Sequence, residues 1–106
     1  MDEVDLFLEG LNPKARTKII YNIRKAQIVT DSELFKKLTD EVWEFRTLHN
    51  KTYYRLFAFW DKTDKSDTVV ISTHGITKKT AKTPSSDIQK TERLRKLYLE
   101  QKQNAE

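Results

Sequence analysis

The chain has 106 residues and a formal net charge of +4, with 37% of its residues hydrophobic and 34% charged. This length predicts one domain spanning residues 1–106, and five Phe, four Tyr and two Trp residues argue against a disordered chain. The absence of cysteine excludes disulfides and thiolate metal sites. No apolar run reaches the roughly 20 residues of a membrane-spanning helix, and the acidic N-terminus does not resemble a signal peptide. We therefore expect a cytoplasmic protein without membrane association.

Two helices are predicted in the first quarter of the chain. Apolar residues recur at helical spacing over residues 2–10. A second helix begins after Asn12, whose side chain suits the N-cap position, with Pro13 as its first residue. This helix should end near Gln27, and the two helices are expected to form a helical hairpin.

The middle of the chain predicts three antiparallel strands. A connection with one helical turn is expected over residues 30–40. Alternating and aromatic-rich runs predict strands at residues 42–49 and 52–60, and the two residues between them indicate a tight hairpin. A polar turn at residues 61–67 then leads to a third strand at residues 68–76.

The last predicted element is a helix that follows a basic loop. Thr83 and Pro84 repeat the pattern of a capping residue followed by proline, and Asp87 in the first turn interacts favourably with the helix dipole. Residues 100–106 are expected to fray. The order helix, helix, three strands, helix indicates the α+β class.

Cations and aromatic residues are concentrated in the predicted sheet and in the loop that follows it, HGITKKTAKTP at residues 74–84. The chain has no GxSxG, P-loop or HExxH motif, and with two histidines and no cysteine we expect neither a metal nor a cofactor. The cations expected on the sheet and loop are Arg46, Arg55, Lys78, Lys79 and Lys82, with Tyr53, Tyr54 and His74 among them.

This set of residues suits the metal-free cleavage of RNA, in which the 2′-hydroxyl attacks the adjacent phosphate. Arginine binds two phosphate oxygens with its planar fork and stabilises the charge that develops on them. Lysine, tyrosine or histidine can transfer protons, and aromatic rings can stack an unpaired base. Each residue also has an ordinary alternative: Arg55 can stack across a strand, His74 can be structural, and the loop lysines can be solvated surface. Together they indicate a binding site for a polyanion.

Several motifs, in order and spacing, resemble those of the RelE/HigB superfamily of type II toxin–antitoxin toxins, in its phage-derived HigB-like branch. They are WEFR at residues 43–46, YRLF at 54–57, HG at 74–75 and KKTAKTP at 78–84. The segment FLEGLNPKARTKI is similar to the helical hairpin of that family. The resemblance implies a RelE-like α+β fold, in which an N-terminal helical hairpin packs on a three- to four-stranded antiparallel sheet and a helix ends the chain.

The resemblance also implies a function. Such toxins are small ribonucleases that enter the ribosomal A site, cut translated mRNA and are held inactive by an antitoxin with a helix-turn-helix DNA-binding domain. Arg55 matches the arginine of the central strand, which stabilises the phosphate. The implied catalytic residues are Arg55, Arg46, His74 and Tyr54, and the implied RNA-binding residues are Lys78, Lys79 and Lys82.

The sequence departs from the family pattern at several positions, and two other functions are compatible with the same fold. Ile76 follows the His-Gly pair where the family usually has Phe, and Glu44 stands where some relatives carry a lysine. One alternative is a DNA gyrase inhibitor of the ParE type on the same fold. The other is a non-catalytic module that binds RNA or an antitoxin.

Overall fold

The computed structural model describes residues 1–64 and 68–104. Its elements are α1 (Asp2–Glu9), α2 (Pro13–Ala26), β1 (Phe35–Lys37), β2 (Trp43–His49), β3 (Thr52–Asp61), β4 (Val69–Lys78) and α3 (Ser85–Asn104). The four strands form one antiparallel sheet in the order β1-β2-β3-β4. The predicted α+β class is confirmed. Residues 65–67 of the predicted polar turn lie outside the described residues.

The structure contains a strand that the sequence does not predict. β1 has three residues and pairs antiparallel with the start of β2, so that Phe35 lies opposite Phe45. It falls within residues 30–40, where a connection with one helical turn is expected. Three residues are too few to show a recognisable alternation, so only the pairing with β2 makes this segment a strand.

The last helix extends further than predicted. α3 continues through Asn104, so residues 100–104, for which fraying is expected, are helical in the structure. Lys102 and Tyr98 both donate to Asp61 Oδ2 at the end of β3, each at 2.7 Å. These hydrogen bonds, above all that of Lys102, hold the pKa of the Asp61 carboxyl far below its ordinary value. The end of α3 is therefore fastened to the sheet.

Helices α1 and α2 cover one face of the sheet. Asn12 caps α2 as predicted, because its side chain accepts a hydrogen bond from the Lys14 amide at 2.8 Å. Val4 of α1, Ile19 of α2 and Leu56 of β3 are buried together at the centre of the core. The hydrophobic core therefore lies between these two helices and one face of the sheet.

Gly75, the second residue of the HG motif, permits the close packing of α1. A Cβ atom at this position would collide with the ring of Phe7 in α1 and lie 2.8 Å from a methyl group of Leu56. Any side chain here would force the Phe7 ring and the Leu56 methyl group to shift. The glycine of this motif therefore has a packing role in the structure.

Helix α3 packs on the opposite face, against β3 and β4. Phe59 meets the ring of Tyr98 edge-on, with ring centroids 5.3 Å apart. Because side chains alternate along a strand, Glu44 and Arg46 of β2 share this face with Arg55 of β3. None of the helices in the described part of the chain is long and apolar enough to cross a membrane.

The turn between β2 and β3 consists of Asn50 and Lys51, with φ of 50° and 59°. Positive φ at both central residues is the mark of a type I′ hairpin turn. The tight hairpin predicted from the sequence is therefore confirmed. Its register places Arg46 directly opposite Arg55, so the two arginines are neighbours on adjacent strands.

An aromatic cluster lies at the other end of the sheet. The ring of Phe35 stacks on Trp43 and Phe45, with centroids 4.8 and 4.3 Å apart. Trp60 meets Phe35 and Trp43 edge-on at 6.0 and 6.1 Å. The cluster holds β1, β2 and β3 together far from the hairpin turn.

Candidate functional site

A buried ion pair forms the centre of the site. Arg55 of β3 and Glu44 of β2 are each 1% exposed, and Arg55 Nη1 donates to Glu44 Oε1 at 2.6 Å. An arginine this deeply buried requires a partner, because an isolated charge in the interior is strongly unfavourable. Glu44 supplies that partner from the neighbouring strand.

Glu44 also binds two other residues. Arg46, two positions along the same strand face, brings its Nε to 3.4 Å from Glu44 Oε1. The Thr83 hydroxyl donates to Glu44 Oε2 at 3.1 Å. Two guanidinium groups around one carboxylate leave the cluster with a positive formal charge. The Arg46 side chain is 24% exposed and brings that charge to the surface.

The first five residues of the predicted basic loop belong to β4, so the basic loop comprises residues 79–84, which lie across this cluster. Its Ala81 carbonyl accepts a hydrogen bond from Arg55 Nη2, and Lys79 Nζ donates to Thr52 Oγ1 at 2.9 Å. Together with the threonine contact described above, these hydrogen bonds fasten the loop to β2 and β3. The loop carbonyl therefore occupies one of the two outer nitrogens with which Arg55 could bind a ligand.

A small cavity of about 170 Å³ lies beside the two arginines. Arg55 Cζ is 5.5 Å from the centre of the Tyr53 ring, within the range of a cation–π interaction. Arg55 Nε is buried without a hydrogen-bond partner among the described residues. The cavity lining includes Arg46, Tyr53, Arg55 and Ala81. An aromatic ring and an unused donor thus accompany the paired arginines.

His74 lies on the same sheet face but beneath α3. It is 3% exposed, with Nε2 at 3.1 Å from Asp87 Oδ1 and Nδ1 at 2.9 Å from Thr73 Oγ1. Its ring stacks on Phe57 with centroids 4.9 Å apart. Burial lowers the pKa of His74, against the opposing effect of the Asp87 hydrogen bond. Both ring nitrogens are therefore engaged within the protein.

The lowered pKa of His74 predicts a loss of stability in mild acid. Because the pKa in the folded protein lies below the unfolded value of about 6.5, the unfolded chain binds more protons as the pH falls below that value. The free energy of unfolding should therefore decrease with falling pH below about 6.5. His74→Gln should remove this part of the pH dependence. Urea unfolding between about pH 7.5 and 5 measures it, and equal slopes in the two proteins would contradict the assignment.

The structure divides the predicted site residues into two groups. The group at one end of the sheet, around the ion pair and its loop, contains Arg46, Arg55, Lys78, Lys79 and Lys82. Tyr54 packs on the opposite face, against the core below α1 and α2, although it also contributes to the lining of the cavity. Tyr53 lies beside Arg55. His74 is separated from solvent by α3.

The contacts of Glu44 and Thr83 in the site are not predicted from the sequence. Glu44 is part of the WEFR motif and stands where some relatives carry a lysine, but no role in the site is predicted for it. Thr83 is expected to cap the last helix, which is wrong because its hydroxyl donates to Glu44 and α3 begins at Ser85, after Pro84. A signal for Glu44 is nevertheless present in the sequence. This acid lies two positions from Arg46 on the same strand face, and the predicted hairpin brings a second arginine opposite Arg46.

Fold and site together define a small α+β protein whose sheet carries a buried arginine–glutamate pair beneath a cationic loop. The chain belongs to the phage-derived Gp49-like protein family, whose model matches residues 6–96. This is a RelE/HigB-like toxin family associated with toxin–antitoxin systems, and it implies an antitoxin partner. The resemblance is thus confirmed at the level of the general family. No curated protein and no solved structure matches the chain.

Proposed function

We propose that the protein is the toxin of a type II toxin–antitoxin system, in the phage-derived HigB-like branch, and that it cuts mRNA on the ribosome. Its cognate antitoxin would carry a helix-turn-helix DNA-binding domain. The supporting observation is the pairing of Arg46 and Arg55 across adjacent strands, around one carboxylate and beside a lysine-rich loop. Two adjacent guanidinium groups suit a phosphodiester on whose oxygens negative charge develops.

In the proposed reaction the 2′-hydroxyl of the RNA gives up its proton and attacks the adjacent phosphate, the P–O5′ bond breaks, and the leaving 5′-oxygen takes up a proton. The upstream fragment then ends in a 2′,3′-cyclic phosphate. Arg46, which reaches the surface, binds the phosphate first, and Arg55 joins when a phosphate oxygen replaces the Ala81 carbonyl at Nη2. Glu44 holds both guanidinium groups in place and is a positioning residue. Neighbouring phosphates of the RNA are bound by Lys78, Lys79 and Lys82.

The aromatic residues and His74 have separate roles in this proposal. Tyr53, whose ring faces Arg55, stacks an unpaired base. Catalytic roles for Tyr54 and His74 stay predictions, because Tyr54 would act from the helix-covered face and His74 would have to leave Asp87. The reaction needs no metal in this scheme, since the arginines carry the charge stabilisation.

Induction of the gene in bacterial cells tests the proposal. We expect growth to stop and transcripts to be cut inside their coding regions, in a manner that requires translation. Growth arrest with intact transcripts would contradict the proposal. If DNA-damage signalling accompanied that arrest, a gyrase inhibitor would be favoured instead.

Arg46 offers the cleanest test of charge stabilisation, because its side chain is partly exposed and its loss leaves the buried pair of Arg55 and Glu44 intact. Arg46→Gln should lower the rate of RNA cleavage on the order of 100-fold, the effect of removing one preorganised donor. Thermal unfolding should change little. A variant that cuts ribosome-bound mRNA at the parental rate would exclude Arg46 from catalysis.

We expect Lys78 and Lys82 to make a salt-dependent contribution to RNA binding, because both side chains carry a positive charge. Lys78→Gln with Lys82→Gln should weaken binding to single-stranded RNA and reduce the slope of log affinity against log salt by about 1.4, or 0.7 for each lost phosphate contact. The matched control is Lys25→Gln with Lys62→Gln, which removes two exposed charges, one from the last turn of α2 and one directly after β3, at the end of the sheet away from the hairpin turn. Titration at several salt concentrations measures the slopes, and equal slopes in both double variants would contradict the assignment.

A further inference from the structure

The turn between β2 and β3 keeps a lysine in a backbone conformation that favours glycine. Asn50 and Lys51 have φ of 50° and 59°. Asn occurs often in this left-handed region, whereas a residue with a longer side chain is disfavoured there and Gly adopts it without strain. A type I′ turn of this kind usually carries Gly at its second position. Lys51 therefore makes the hairpin less stable than glycine would.

The strained lysine lies beside the basic loop. Lys51 is exposed, and the next residue, Thr52, accepts the hydrogen bond from Lys79 Nζ at 2.9 Å. Lys78 lies opposite Tyr53 at the same end of the sheet. A cation at the turn is thus adjacent to other cations, which adds repulsion to the backbone strain.

Lys18 brings one more positive charge to this end of the sheet. Its Nζ donates to the Leu48 carbonyl in β2 at 2.6 Å, two residues before the turn. The cationic surface therefore continues from the basic loop across the hairpin turn to α2. A stable fold alone does not call for a strained lysine in the middle of such a surface.

We propose that Lys51 is a further RNA-binding residue, which contacts a phosphate of a single-stranded RNA beyond the two arginines. The inference rests on the proposed function and extends its binding surface from the loop to the hairpin turn. Backbone strain is retained at functional positions when the side chain placed there serves a ligand. A lysine serves a phosphate as a compact positive charge on a flexible stem.

Three single substitutions separate the charge of Lys51 from its backbone strain. Lys51→Gly removes both, so its melting temperature should rise by about 4 °C while the salt slope of RNA binding falls by about 0.7. Lys51→Gln keeps the strain and removes the charge, so only the slope should fall. Asn50→Gly is the matched control in the same turn, because it changes the backbone freedom and leaves every charge in place; its slope should equal that of the parent.

Fluorescence anisotropy with a labelled single-stranded RNA, at several salt concentrations, measures the slopes. The inference is overturned if both Lys51 variants keep the parental slope while the double variant of Lys78 and Lys82 lowers it, and the proposed RNA-binding function then still stands. If the parent itself shows no salt-dependent binding to free RNA, the inference is overturned, whereas the proposed function is decided separately by whether induction of the gene leads to cleavage of translated transcripts. A lowered slope in Asn50→Gly would also overturn it, since the effect would then come from the backbone of the turn.

Discussion

Replacing Arg55 by methionine should destabilise the protein by about 3–5 kcal/mol, because it leaves the buried carboxylate of Glu44 without its closest partner. Arg46 at 3.4 Å and the Thr83 hydroxyl remain near that carboxylate, but neither matches the 2.6 Å contact that is lost. Denaturant unfolding at neutral pH measures the change in the free energy of unfolding. A loss below about 1 kcal/mol, the usual value of an exposed ion pair, would contradict the buried pair.

The loss of function in such a variant could come from unfolding alone, so a second variant separates stability from activity. Glu44→Gln combined with Arg55→Met removes both buried charges and should recover most of the lost stability, because replacing a whole buried ion pair by neutral groups is often neutral or stabilising. If Arg55 stabilises the phosphate, the stable double variant should still fail to arrest growth. Full toxicity of this double variant would exclude Arg55 from the chemistry and favour a non-catalytic binding module.

Asp61→Asn should lower the free energy of unfolding at pH 7 by about 2–3 kcal/mol, since hydrogen bonds to a charged acceptor are stronger than those to a neutral amide. Asp61 is 1% exposed and accepts from Lys102, Tyr98 and Thr63. Because the pKa of its carboxyl is lowered in the folded protein, this stabilisation is complete above the unfolded value of about 3.9 and is lost as the pH falls below it. Thermal unfolding between about pH 7 and 3 compares the two proteins.

The control for Asp61 is Tyr98→Phe, which removes one of the donors and leaves the carboxylate charged. It should cost about 1 kcal/mol and keep most of the acid dependence. The difference in stability between the parent and Asp61→Asn should shrink as the pH falls. A difference that stays constant down to about pH 3 would show that the aspartate acts through its shape and not through its charge.

The elements with strong local signals could be predicted from the sequence. Asn12 before Pro13 marks the start of α2, and the alternation of β2 and β3 around two turn residues fixes the hairpin. β1 could not be predicted in this way, because its three residues become a strand only through pairing with β2. The end of α3 likewise depends on a distant group. Its polar sequence suggests fraying, but Lys102 donates a hydrogen bond to Asp61 and holds this end of the helix on the sheet.

The cations of the site could be predicted, but the loop contact of Arg55 could not. Alternation in β3 already places Tyr53, and not Tyr54, on the face of Arg55. That Arg55 is buried, and that Glu44 and the Ala81 carbonyl satisfy it, depends on how the basic loop folds back over two strands. The contact between Arg55 and Ala81 joins residues 26 positions apart, and no local pattern encodes it. The contact between Arg55 and Glu44 spans 11 positions within the hairpin.

The placement of the two tryptophans has a consequence for spectroscopy. Trp43 begins β2 and Trp60 lies near the end of β3, within the aromatic cluster and at the opposite end of the sheet from the hairpin turn. Their emission should therefore respond to unfolding of the sheet and remain insensitive to RNA held near Lys51 and Arg46. Intrinsic fluorescence can thus follow denaturation of the RNA-bound protein without interference from the ligand, whereas a binding titration needs a dye on the RNA or at the turn.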